Sequence, residues 1–228
     1  MKRKTKKAFI KKYAAVLSHI YRLFGRNKIK VAKGNALKLG DAFLKKCRIS
    51  VGGTGNVVEF EPGLTRLKGC SISIYGNNCH IQVGEGSNLN YSCLHIEDDG
   101  GKIFLKRHVT ISGQTELAVI EGTSITIGED CLFSGNIMFR TGDSHSILDQ
   151  QSGKRINPSE NIIIGNHVWI GNGVRILKGV NIGDHSIVGL GAVLSSGDYP
   201  AHSVIGGIGH GKVLKTGIDW TAKRLIIE

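Results

Sequence analysis

Between residues 162 and 194 an aliphatic side chain returns at every sixth position: Ile164, Ile170, Ile176, Ile182, Val188 and Leu194. A second set of small or β-branched residues follows four positions after each of the first five: Val168, Val174, Val180, Ser186 and Ala192. Gly165, Gly171, Gly183 and Gly189 directly follow four of the anchors. A period of six suits neither a 3.6-residue helix nor a heptad coiled coil. It predicts an all-β chain wound as a parallel β-helix of hexapeptide repeats, where each aliphatic anchor is buried only by stacking on the neighbouring coils.

Upstream the pattern is fainter. Leu105, Ile111 and Leu117 keep the six-residue step, with Val109 and Thr115 as the fourth-following residues. Ile127, Phe133 and Phe139 keep it again, with Cys131 and Ile137. From about Ile49, residues such as Val51, Leu64, Ile72, Ile74, Ile81, Val83, Leu94 and Ile96 suggest short strands at irregular spacing, so the early coils are expected to be degenerate. Between Phe139 and Ile164 the register breaks for 25 residues. That stretch is polar and carries Gly142, Gly153 and Pro158. It predicts an excursion loop at about 140–161, the kind of segment where chemistry concentrates on a rigid scaffold.

Residues 1–30 show helical periodicity instead: Phe9, Tyr13, Val16, Leu17, Ile20 and Phe24 recur at spacings of three and four among eleven Lys or Arg. The run is too short and too interrupted for a membrane span, and it lacks the unbroken apolar core and cleavage site of a signal peptide. Two readings stay open for it. It suits an interfacial helix resting on an anionic membrane or holding a polyanion, and it suits a solubilising helix that caps the solenoid end. The expected division is a basic helical segment over 1–48, a β-helix over 49–215 and a tail over 216–228.

Charge sharpens this division. The formal charge of +12 is unevenly placed: residues 1–46 hold 15 Lys or Arg and one acid, while the rest of the chain holds 15 basic and 17 acidic residues. No nucleic-acid-binding motif accompanies the basic segment, so nucleic acid is not an expected partner. The 32 glycines suit a fold of many tight corners. Cys47, Cys70, Cys79, Cys93 and Cys131 are odd in number and form no CxxC pair, which argues against a disulfide framework or a zinc site and for a reducing, cytoplasmic setting. They read as small interior residues.

Among the histidines of the regular half, His145 stands in the excursion, within Gly142-Asp143-Ser144-His145-Ser146. His167 and His185 occupy outward hexad positions where polar residues are ordinary; His210 lies beyond the last regular coil. Trp169, also outward, is costly to expose and is expected to cover a ligand or a neighbouring subunit.

On these residues, 125–212 resemble the hexapeptide-repeat acyltransferases. The order ITIGEDCLFS, RTGDSHSILD, IIIGNHVWIG, ILKGVNIG, VGLGAVL follows that family's order. Within it the likeness is to bacterial capsule and polysialic acid O-acetyltransferases, which carry a His in a D-S-H-like loop and a Trp in an HVWIG-like hexad. The likeness thins over 49–124 and is absent from 1–48. It implies a left-handed coil, a homotrimer with active sites between subunits, and acetyl-CoA as cosubstrate without a metal. It implies His145 as general base on a sugar hydroxyl in direct transfer, with Asp143 or a backbone carbonyl orienting the ring. Trp169 would flank the thioester and help stabilise the oxyanion.

By position, Gly189, Gly191, Ala192, Ser195 and Ser196 would line the CoA groove, and Lys212 would meet its phosphate. The family's closing G-N-P-A-K-like segment is replaced here by Gly206–Lys212 without Pro or Ala, which leaves contacts of Ile208 and His210 open. Arg140, Asp143, Ser144, Lys154 and Arg155 frame the acceptor side and, with the basic N-terminus, favour an acidic, polysialic-acid-like capsular glycan. Alternatives on the same fold are a xenobiotic or small-sugar acetyltransferase, a carbonic anhydrase, and a non-catalytic scaffold. The anhydrase needs a closely spaced outward histidine pair that His145, His167 and His185 lack, and the scaffold reading is disfavoured by the loop histidine itself.

Overall fold

The computed structural model describes residues 14–209 and 211–223. Three parallel sheets form the sides of a β-helix of eight coils. Sheet A runs from Lys28–Val31 to Val193–Leu194, and sheet B from Ala36–Lys38 to Gly197–Tyr199. Sheet C runs from Phe43–Lys45 to Val204–Gly206 and is closed by the antiparallel strand Lys212–Lys215. The hexad anchors stack in three columns that fill the interior: Phe139, Ile176 and Leu194 beneath sheet A, Ile127, Ile164 and Ile182 beneath B, and Phe133, Ile170 and Val188 beneath C. All nine are buried. Each such side chain removed from water contributes about 1.5–3 kcal/mol, which its own coil could not provide alone. Phe133 and Phe139 stack with centroids 5.6 Å apart just ahead of the excursion.

The early coils are regular, contrary to the expectation of degeneracy. In the late coils Arg175 pairs with Val193 and Trp169 with Ile187, eighteen residues apart, so every corner takes six. In the middle coils Ile103 pairs with Ile125 and Thr110 with Leu132, twenty-two apart. The surplus sits at one corner. Ile49, Ile72 and Leu94 of sheet A are each followed by their sheet B counterparts Phe60, Val83 and Leu105 after eleven residues, whereas Leu105, Ile111 and Leu117 keep the step of six. Those wide A–B corners are tied by side chains. Asn56 Nδ2 donates to the carbonyls of Gly52 and Gly76 at 2.8 and 2.9 Å, and its Oδ1 accepts from Cys79 N at 2.7 Å.

The solenoid also begins earlier than the expected boundary at residue 49. The helix spans Ala14–Phe24, and Lys28–Val31 already pairs with Arg48–Val51. Leu37 pairs with Val58 and Leu44 with Leu67, so the first coil occupies residues that the basic composition had placed in the helical segment. The alternation Lys28-Ile29-Lys30-Val31 is a strand signal masked by its lysines. The helix packs on this coil through Tyr21 and Phe43, edge to face at 5.6 Å, while Val16, Leu23 and Phe24 stay exposed. Phe9 and Tyr13 of the predicted helical face lie outside the described residues. Among the described residues no helix is long and apolar enough to cross a membrane. Cys47, Cys70, Cys79 and Cys131 are buried free thiols, as the packing reading expects, whereas Cys93 is half-buried at an outward position of its strand, contrary to that reading; burial pushes Cys131 up to about 12.

Candidate active site

The excursion leaves sheet A after Arg140 and re-enters sheet B at Ile162, so it enlarges the same A–B corner that is wide in the earlier coils. It is folded, contrary to the plain loop expected. Leu148 and Arg155 bridge antiparallel, Ile156 N donates to Ile147 O at 2.9 Å, and Asp149 N to Lys154 O at 2.8 Å. The result is a short two-stranded finger. At its base a Cβ on Gly142 would press on the side chains of Ser159 and Ile120, which would have to turn away.

One buried side chain, Asn157, organises the finger. Its Oδ1 accepts from Ile147 N at 2.7 Å and Arg155 Nε at 3.2 Å, and its Nδ2 donates to Asp143 Oδ2 at 2.9 Å and His145 O at 2.8 Å. Arg155 is further engaged by Glu121 of the preceding coil, whose other oxygen accepts from Ser159 N at 3.2 Å. Arg155, then Ser159, hold the Glu121 carboxyl down to about 2. Arg155, expected on the acceptor side, thus braces the finger to the coil beneath.

His145 stands on this brace, exposed, its backbone pinned by Asn157. Of the two orienting groups left open, Asp143 is turned to other partners. Its carboxylate takes Lys178 Nζ at 2.6 Å, and that ammonium, with the Asn157 amide, holds the Asp143 carboxyl below its ordinary value. Among the described residues the imidazole has no hydrogen-bond partner. Ser144 adopts a left-handed φ of 63°, and with His95, Glu116, Arg140 and Gly142 it lines a notch of about 180 Å³ beside the finger. Arg140 pairs with Glu116 at 3.0 Å, and its Nε is buried without a partner among the described residues. Lys154 lies exposed near the tip.

Trp169 lies elsewhere. It points outward from sheet C, which faces away from the A–B corner across the three-sided coil, and is 39% exposed. The expectation that its indole meets the His145 finger therefore fails within one chain. The two sides can meet only between chains. The expected CoA contacts are likewise spread around the last coils. Gly189, Gly191 and Ala192 turn the C–A corner, Ser195 and Ser196 turn the A–B corner, and Lys212 lies on the closing strand of sheet C. Ile208 is exposed and His210 falls outside the described residues.

Sequence reasoning missed Asn157, Lys178 and Glu121, whose importance depends on three-dimensional partners. It also left the place of Trp220 open. Trp220 packs within the chain: its indole stacks on the His167 ring at 4.2 Å and 7°, donates Nε1–H to His167 O at 2.7 Å, and lies 5.9 Å from the Trp169 ring.

Comparison with known proteins agrees with this architecture. A family model described as bacterial transferase hexapeptide (six repeats) matches residues 161–196. The WbbJ protein of Escherichia coli K12, named for an O-acetyl transferase of lipopolysaccharide biosynthesis, is 33% identical over 142 residues, covering 58% of this chain and 70% of WbbJ. The chain belongs to the hexapeptide-repeat transferases. A polysialic acid O-acetyltransferase of Neisseria meningitidis is 34% identical over 115 residues, 50% of this chain; the match spans about half, 52%, of that relative's length. Among solved structures of the family's fold, the polysialic-acid-specific acetyltransferase NeuO superposes with a TM-score of 0.76 at 27% identity, covering 86% of this chain and 89% of NeuO.

Proposed function

We propose that the protein is an acetyl-CoA-dependent O-acetyltransferase acting on hydroxyls of an acidic, polysialic-acid-like capsular glycan. It would work as a homotrimer whose sites lie between subunits. The observation that carries this reading is the presentation of His145. A braced finger holds the backbone of an imidazole whose ring is left free toward solvent, on the side of the coil opposite the exposed Trp169. That arrangement supplies half a site at each of two surfaces, which a neighbouring copy completes.

In the proposed reaction a neutral His145 ring nitrogen accepts the proton of the acceptor hydroxyl as its oxygen attacks the thioester carbonyl carbon. The tetrahedral oxyanion collapses with cleavage of the C–S bond, and the imidazolium returns its proton to the departing CoA sulfur. An imidazole titrates near neutrality, so it can perform both transfers. The Trp169 indole N–H or a backbone N–H would meet the oxyanion, and the indole face would flank the thioester. No cysteine is required. The exposed Lys154 near the tip of the finger and the basic N-terminal segment support an anionic acceptor. The N-terminal basic segment, with Val16, Leu23 and Phe24 exposed on its helix, supports a cytoplasmic protein that rests on the inner face of an anionic membrane.

The test is transfer from acetyl-CoA to polysialic acid by the purified chain, read as acetyl groups on the polymer. His145→Ala should abolish it while mass and melting temperature stay those of the parent. Full activity in that variant sinks the assignment of the base. A clear preference for neutral oligosaccharides over polysialic acid sinks that of the acceptor.

A further inference from the structure

The B–C corners carry a column of residues that the proposed acyl transfer does not use. His108, Asp130, His167, His185 and His202 each occupy the same left-handed turn position of successive coils, with φ between 53° and 59°. The rings of His185 and His202 stack at 4.9 Å and 8°. Across this column the C-terminal segment lies as a strap, one residue to each histidine. Ile218 N donates to His202 O and His202 Nδ1 donates to Ile218 O, both at 3.0 Å; His185 Nδ1 meets Asp219 Oδ1 at 3.3 Å; His167 Nε2 donates to Trp220 O at 2.9 Å.

This lashing gathers metal-ligand chemistry at one point. One ligand atom each from His167, His185 and Asp219 lie mutually within 4.8 Å, and the Asp219 oxygen is 3.7 Å from His167 Nε2. The Trp220 carbonyl stands 2.9 Å from that same nitrogen. A tetrahedral ion with bonds of about 2.0–2.2 Å requires ligand-to-ligand edges of about 3.3–3.6 Å. The separations to the oxygen ligands, 2.9, 3.3 and 3.7 Å, bracket that edge, and the His167 and His185 ligand atoms lie within 4.8 Å of each other, so side-chain shifts of up to about an ångström would close a coordination shell. A cavity of about 800 Å³ opens beside the cluster, and the acids Glu129, Asp130 and Asp184 outnumber Lys223 on its wall, which favours entry of a cation. The Trp220 indole stacked on His167 shields one side and fixes that ring's orientation, as the outer shell of a metal site must.

We infer that His167, His185 and Asp219 form a binding site for a divalent transition metal of the zinc class, which pins the C-terminal strap to the coil bearing Trp169. Two imidazoles and one carboxylate select such an ion over magnesium or calcium. The fourth position falls to the Trp220 carbonyl or to water. On binding, the metal replaces the proton that each ring nitrogen directs at its oxygen partner, and each imidazole stays neutral by carrying its proton on the other nitrogen. All ligands come from one chain. The ion is structural and takes no part in acyl transfer.

The test uses the full chain stripped by chelator and titrated with Co²⁺, then with Zn²⁺ in competition. One equivalent of Co²⁺ per chain should bind with the visible spectrum of a four-coordinate ion, and Zn²⁺ should displace it. His185→Ala and Asp219→Asn should each weaken binding about tenfold or more, while His108→Ala, at the same corner but outside the ligand set, binds as the parent does. Zn²⁺ should also slow amide hydrogen exchange at residues 218–220 of the parent chain, a readout that needs no variant to fold. Absence of saturable binding, binding that survives both ligand substitutions, or bound metal without slowed exchange at the strap overturns the assignment.

Discussion

Because His145 and Trp169 lie on opposite sides of one coil, two inactive variants should restore each other. Let His145→Ala and Trp169→Ala each be inactive alone. In the proposed homotrimer every site would take its finger from one chain and its indole from the next. In trimers assembled at random from equal amounts of the two variants, a site is intact when its finger comes from the Trp169→Ala chain and its indole from the His145→Ala chain. Each condition is met half the time, so about a quarter of the sites carry both wild-type groups. Co-expression at equal levels, followed by acetyl transfer to polysialic acid, should therefore give about a quarter of wild-type turnover per chain. A mixture of the two trimers prepared separately, without subunit exchange, should show none. A site contained within one chain gives no activity in either preparation, because every chain then lacks one group. Co-expressed trimers no more active than the better parent refute the shared site, provided mass analysis shows that they are mixed.

Other expectations concern the brace and the core. Asn157→Ala removes four hydrogen bonds from the base of the finger; a loss of about 1–3 kcal/mol there should lower turnover about tenfold or more, with the melting temperature of the solenoid nearly unchanged, and unaltered turnover would show that the finger does not depend on Asn157. The Glu121 carboxyl is held from its ordinary 4.5 to about 2 by Arg155. Since its folded value is the lower one, the stabilisation it lends is fully present above about 4.5 and is lost as pH falls toward 2. Amide exchange or proteolysis at 142–160 should accelerate across that window, and Glu121→Gln should remove most of the pH dependence; an unchanged profile in the variant assigns the effect elsewhere. Ile176→Ala, at a fully buried position of the sheet A column, should cost about 2–5 kcal/mol, measured by denaturant unfolding, whereas the outward Ile163→Ala should cost far less.

Much of the scaffold was legible because a buried column repeats in sequence as strictly as it stacks in space. Ile164 through Leu194 follow the six-residue step since all three corners of the late coils are equally tight. The early coils escaped the same scan because their A–B corner takes four or five extra residues and their step from sheet C to sheet A, as from Leu67 to Ile72 and from Leu89 to Leu94, is five; Leu105, Ile111 and Leu117 show the step of six and Leu94 to Leu105 does not. Lysines on alternate positions hid the first strand. At the proposed site, the sequence singles out His145 and Trp169, and the structure sets them on opposite sides of one coil, which the spacing that places each on a coil does not reveal. Whether Asp143 orients the ring could not be read from the sequence, since its partner, Lys178, lies 35 residues away on another coil. The strap was invisible for a similar reason. His167, His185 and His202 are 18 and 17 residues apart, and only the winding of the chain brings them beneath Ile218, Asp219 and Trp220.

The location of the finger follows from the same geometry. Residues inserted at a corner leave the interior columns intact: Phe139 still stacks between Leu117 and Ile176, and Ile164 between Ile127 and Ile182. Lengthening the A–B step from eleven residues to twenty-five therefore forfeits no buried contact and costs only closure entropy, about 0.6 kcal/mol for each doubling. The bonds of Asn157 and the Glu121–Arg155 pair can offset that cost. The same insertion within a strand would displace every anchor after it and open the core. A corner already wide in the earlier coils is thus the place where this solenoid can grow a folded finger at least expense to its core. The tight late coils that follow give sheet C the regular surface on which Trp169 is mounted.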